Sequence, residues 1–190
     1  MRTPVLFAGV YTLLSLAYTM LSWGRATANP AIVPSVEGLL VVHMVVHSTV
    51  GGLVALPSGR FKLALGAALA ATLIDVDHVG QFLGLPLVDR ASHSLGFMIA
   101  GGLAMVALVR WRYFKLEVPP LLAGALVVAV VLAHISVDSA LPEAHMPFWM
   151  PVSSEPVAIR SSLSLVYATV GGLLVWGATL AEQRARRKRA

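Results

Sequence analysis

Six histidines lie along this chain, and most of them stand beside an aspartate or another histidine. His43 and His47 are four residues apart, as are His134 and Asp138. Asp75 and His78 are three apart with Asp77 between them, and Arg90 and His93 follow. On a helix, residues spaced by three or four share a face. Four-residue spacing is how the HExxH zinc helix offers two ligands to one ion. Neither pair here is an HExxH, because no Glu follows His43 or His134. The chain has no cysteine, which excludes disulfides and thiolate ligands. An ion would have to be held by imidazole, carboxylate or carbonyl oxygen.

The elements that position these residues are apolar. Of 190 residues, 57% are hydrophobic and only 12% charged, and the mean hydropathy is +0.80. A soluble domain of this size needs more charge to cover its surface, so the expected solvent is lipid. Six stretches have bilayer-spanning length: about Thr3–Trp23, Pro34–Leu56, Phe61–His78, Ser92–Trp111, Pro119–Leu141 and Ser161–Leu180. The expected fold is therefore all-α, a polytopic membrane bundle of about six transmembrane helices. Residues 1–30 form a first helix and outer loop, 31–160 a core of four helices, and 161–190 a last helix with a basic tail. The first segment ends in "RATANPA", whose Ala26 and Ala28 also suit signal-peptide cleavage, but its apolar run is long for that role and a retained helix is expected.

With six spans, Arg2, Arg60, Lys62, Arg110, Arg112, Lys115, Arg184, Arg186, Arg187, Lys188 and Arg189 fall on one side. Arg25, Arg90 and Arg160 fall on the other. This bias predicts that both termini are cytoplasmic, in an inner membrane. The tail "RARRKRA" then reads as an anchor near anionic lipid rather than a nucleic-acid patch. The same topology collects His43, Asp75, Asp77, His78, Arg90, His93, His134, Asp138 and His145 toward the outer side, with His47 near the midplane.

An ionisable group within a helix costs about 2.5–3.5 kcal/mol on insertion scales, so it needs partners. A divalent cation satisfies carboxylates and imidazole lone pairs together. Blander roles compete. A lone membrane histidine ordinarily donates a hydrogen bond between helices, and for His43 the two roles weigh equally. His93 and Arg90 could mark a plain helix entry capped by Ser92. His145 reads as a bystander, and Glu37, Glu143 and Glu155 as solvated. The pairs Gly51–Gly52, Gly101–Gly102 and Gly171–Gly172 read as sites of close helix packing.

The order of motifs carries a resemblance. "HSTVGG" at His47 is followed by "IDVDH" (Asp75 to His78), "RASHS" (Arg90 to Ser94), "AHISVDSALP" (His134 to Pro142) and "PFWMP" (Pro147 to Pro151). This resembles the membrane-bound metal-dependent hydrolases of the YdjM/YbcI type, also called LexA-binding inner-membrane-associated hydrolases. That family shows an early His, "PDxDH", "HRxxTHS", "HxxxD" and a late "LWP". The resemblance runs from about Val42 to Val152. Ile74 stands in place of the proline, Asp89 in place of a common histidine, and "FWMP" in place of "LWP"; the first helix lies outside the family core. In motif logic the family is similar to zinc-dependent phospholipase C. The resemblance implies that His47, Asp75, His78, His93, His134 and Asp138 are ligands, with His43 an alternative to His47, for a divalent metal, Zn2+ first, as one or two ions.

The expected function is a metal-dependent hydrolase of a lipid or other phosphoester on the extracytoplasmic side. Asp77 would take the proton of an activated water, and Arg90 would hold the substrate's anionic group. The partners expected are the bilayer and an amphiphilic substrate, with no nucleic acid. Two other readings compete. A metal transporter or sensor would need polar residues continuing inward, where the helices carry mostly Ala, Val, Leu and Gly. A scaffold would recruit a cytoplasmic partner through its tail.

Overall fold

The computed structural model describes residues 2–25, 39–78, 83–88, 90–140 and 145–188, with the side chains of residues 39–41, 77 and 78 outside that description. Among the described residues, six α-helices run in order: α1 (Arg2–Met20), α2 (Leu39–Ala55), α3 (Phe61–Leu73), α4 (Leu95–Arg110), α5 (Pro120–Asp138) and α6 (Ser164–Arg187). Each expected apolar stretch forms one of them, though Pro34 to Gly38, Leu141, and the loop acids Glu37 and Glu143 lie outside the described residues. Short 3-10 turns extend α2 (Leu56–Ser58) and α3 (Ile74–His78), and others precede α4 (Ala91–His93) and α6 (Ser161–Leu163). The strands His145–Met146 and Val157–Ala158 pair antiparallel as one small ribbon.

Among the described residues, three helices are long and apolar enough to cross a membrane: Arg2–Met20, Pro120–Asp138 and Ser161–Arg187. Val42–Ser58 and Leu95–Arg110 are apolar but shorter. The outward faces of α2, α4 and α6 carry Val42, Leu53, Leu103, Leu165 and Leu173, all more than half exposed. So much exposed apolar surface is stable against lipid tails, not water.

The centre is α5. Proline at its start supplies a fixed φ and needs no hydrogen bond there. From Leu122 to Asp138 its residues are buried on nearly every side, as befits a helix packed by α2, α3, α4 and α6. Small residues set the close contacts. A Cβ on Gly51 would lie 3.0 Å from the Ala67 carbonyl on α3, and one on Gly124 would lie 2.9 Å from the Gly102 carbonyl. One on Gly171 would lie 3.3 Å from Ala129 of α5. At least one glycine of each expected pair thus meets a neighbouring helix. Gly101 instead faces the Phe97 ring of its own helix, and Gly172 has open space to 4.0 Å.

Two details differ from the sequence expectation. The cap of α4 is Ser94, whose Oγ accepts from Phe97 N at 3.2 Å; Ser92 is occupied in the preceding 3-10 turn. The last helix continues through the basic tail to Arg187. Helix α1 packs into the core: Phe7 and Tyr11 are fully buried, and Tyr11 meets Phe97 edge to face at 5.8 Å.

Candidate metal centre

The helix order explains the convergence. Helices α2 and α3 form a hairpin, as do α4 and α5, so the start of α2, the end of α3, the entry to α4 and the end of α5 meet at one end of the bundle. His43 and His47 come from α2, Asp75 from the turn after α3, His93 from the turn before α4, and His134 and Asp138 from α5. Four-residue spacing does place each helical pair on one face. His43 Nε2 and His47 Nε2 lie 2.8 Å apart, and His134 Nε2 lies 3.4 Å from Asp138 Oδ2.

Asp138 is the hub. Its Oδ1 stands 3.1 Å from His47 Nε2 and 3.5 Å from His43 Nε2. Its Oδ2 stands 3.4 Å from His134 Nε2, 3.9 Å from His93 Nε2 and 3.5 Å from Arg90 Nη1. Asp75 is the second carboxylate, with Oδ1 3.1 Å from His134 Nε2 and 3.8 Å from His93 Nε2. The His47 and His134 rings stack at 3.6 Å, and His93 meets His134 edge-on at 4.6 Å. His47, His93, His134 and Asp138 are essentially buried, whereas Asp75 is 33% and His43 24% exposed. The site is therefore closed below and reachable from one side.

A cation fits these donors. His134 Nδ1 lies 2.9 Å from the Ala71 carbonyl, which can only accept, so Nδ1 carries the hydrogen. In the neutral ring Nε2 then presents a lone pair toward two carboxylate oxygens, an arrangement that repels unless positive charge lies between them. An outer hydrogen bond of this kind is also what fixes metal-ligating histidines. Asp138 Oδ1, His134 Nε2 and His47 Nδ1 are buried without a well-formed hydrogen bond among the described residues. Three overlapping sets could each seat an ion within the described residues: His43, His47 and Asp138; His47, Asp75 and His134; His93, His134 and Asp138. All six donors are nitrogen or oxygen, the chemistry of zinc, iron or manganese rather than of copper(I).

Six of the seven ligands expected from sequence thus come together. The side chains of the seventh, His78, and of Asp77 lie outside the described residues, as does Asp89. His43 and His47 both approach the same oxygen, so the choice between them is not one the fold enforces. His145 lies exposed on the ribbon, paired with Ala158, and Glu155 is exposed as expected. Arg90 reaches the hub from a left-handed backbone conformation, φ 55°, which residues other than glycine seldom hold without a reason.

Sequence reasoning passed over the support. Gly96 N donates to the Met150 carbonyl at 3.1 Å and Leu95 N to that of Phe148 at 2.8 Å, so the "PFWMP" segment closes over the start of α4. A Cβ on Gly96 would collide with the Met150 carbonyl and the Tyr18 hydroxyl. The repeated proline motif was the available signal; nothing in the sequence marks Gly96 itself.

No curated protein matches the chain, and no solved structure does. The profile of one family, described as YdjM inner membrane protein, matches residues 39–190. The match begins at α2 and takes in every side chain of the His/Asp cluster, leaving α1 outside it. On that span, the chain belongs to the YdjM inner membrane protein family.

Proposed function

We propose that the protein is a metal-dependent hydrolase acting on a lipid or other phosphoester at the membrane surface. The observation that carries this reading is the convergence of four imidazoles and two carboxylates from four parts of the chain on one partly open site. His47, Asp75, His93, His134 and Asp138 would hold the metal, with His43 beside them and His78 as a further ligand. Zn2+ is the first choice, as one ion or two. When bound, such an ion supplies Lewis acidity and makes water a nucleophile near neutral pH. Arg90 would bind the substrate's anionic group, since a guanidinium matches phosphate oxygens in pairs. Asp77 would accept the proton of the attacking water. The apolar bundle beneath the site, filled by Val127, Val130 and Val131, leaves the acyl part of a substrate in the lipid.

The finer topology belongs to the same proposal. Six spans with both termini cytoplasmic would face the site outward from the inner membrane.

The deep burial of His134 and Asp138, 0% and 2% exposed, favours a second reading, a non-enzymatic metal protein. Turnover separates the two. Purified protein is assayed against phosphate mono- and diesters with and without acyl chains, beside Asp75→Ala and His93→Ala. Loss of metal-supported turnover in both variants, with membrane insertion intact, is expected. Full turnover with retained metal in either variant would overturn the hydrolase.

A further inference from the structure

The opposite end of the bundle carries a different constellation, one that the reading above leaves unused. Between the α4–α5 connection and the end of α6 lies a cleft of about 1070 Å3. Five cations line it: Arg60, Arg110, Arg112, Lys115 and Arg186. Two acids, Glu117 and Glu182, share it. Glu182 is already engaged, 2.6 Å from Arg186 and 3.8 Å from Arg60. Arg110, Arg112 and Lys115 have no ion pair among the described residues, and Glu117 faces solvent. A surplus of positive charge therefore remains in a concave site.

Three further features say what chemistry fits it. Arg112, like Arg90, is held at positive φ, 57°, where the chain turns out of α4. Such a conformation persists only where the surroundings fix it. The floor is apolar, with Leu116 and Val118 buried and Phe114 half-buried. Trp111 and Tyr113 flank the turn, 68% and 71% exposed, and meet edge to face at 6.3 Å. Exposed Trp and Tyr at a helix end belong at the headgroup level of a bilayer. Helix α5 spans from this cleft to the His/Asp cluster, about 27 Å at 1.5 Å per residue, close to the thickness of the hydrocarbon core. Basic pockets between membrane helices at that level hold anionic headgroups.

The geometry points to a binding site for the headgroup of an anionic phospholipid, seated on Arg110, Arg112 and Lys115 with an acyl chain against Phe114 and Leu116. It is independent of the proposed hydrolase site and of the distal tail cations Arg184, Arg187 and Lys188. The full chain is reconstituted in mixed micelles of phosphatidylglycerol and phosphatidylcholine, and retained lipid is counted by native mass spectrometry. Phosphatidylglycerol should be retained in preference to phosphatidylcholine on the order of tenfold. The combined variant R110Q, R112Q and K115Q should bring that ratio near one, while R184Q, R187Q and K188Q together leave it unchanged. Glycerol phosphate in solution should not displace the lipid. For the unaltered chain, the preference should also fall as salt rises, a readout that survives if the triple variant fails to fold. Equal retention of both lipids, a preference indifferent to salt, or a folded triple variant with undiminished retention would overturn the site. Displacement by glycerol phosphate would replace the lipid with a free phosphate ester and overturn the assignment too.

Discussion

The two ends of this bundle use ionisable residues in opposite ways. At one end, imidazoles and carboxylates turn inward, meet at 3.1–3.9 Å, and are largely hidden from solvent. At the other, arginines and a lysine turn outward at the rim of an open cleft, beside exposed aromatic rings. Burial makes the first end interdependent: removing one group leaves another charged or lone-pair atom without compensation. Exposure makes the second end tolerant, since water and lipid headgroups replace a lost contact. The contrast teaches where function concentrates. Charge that could have stayed in water at no cost, yet is buried, marks the proposed metal centre.

The comparison breaks first at Asp138. Its two oxygens face four histidines and Arg90, so Asp138→Ala should weaken metal binding by more than about 100-fold, above the range for outer-shell changes. Chelator competition measures it, and a change of less than threefold would make the buried end as tolerant as the exposed one. Gly96→Ala comes next. Its Cβ has no room against the Met150 carbonyl and Tyr18 hydroxyl, and overpacking of this kind costs about 1–3 kcal/mol. Thermal unfolding in detergent should drop accordingly, whereas Gly9→Ala, on open space, should not. Arg90→Lys sharpens the division within the site: metal content should persist while kcat/KM on an anionic ester falls about tenfold through loss of bidentate binding. Equal loss of metal would make Arg90 part of the ion's support instead. The smallest effect is expected at the exposed end of α6, where Arg184→Gln and Arg187→Gln should shift stability by under about 0.5 kcal/mol.

Much of the site was legible because helical spacing is a local property. The pairs His43–His47 and His134–Asp138 share a face for that reason alone, and alternating helix direction brings "DVDH" and "RASHS" to the same end. The hub role of Asp138 was not legible, because it depends on how the two hairpins α2–α3 and α4–α5 pack, and no local pattern encodes that. The cap shifted from Ser92 to Ser94 because the chain inserts a 3-10 turn to carry His93 inward. The place of α1 was hidden for a similar reason. Its long apolar run favours a retained helix over a signal segment without saying where that helix packs, and only the burial of Phe7 and Tyr11 against the core shows a packed element.

The central claim is that the His/Asp cluster is a metal centre. Elemental analysis of the purified protein beside Asp75→Asn tests it most directly. The account predicts near-stoichiometric transition metal, zinc first, in the parent chain, and a large loss in the variant, whose amide is a poor ligand in place of a carboxylate. A parent chain that stays metal-free after equilibration with zinc, or a variant that holds as much metal as the parent, would contradict it.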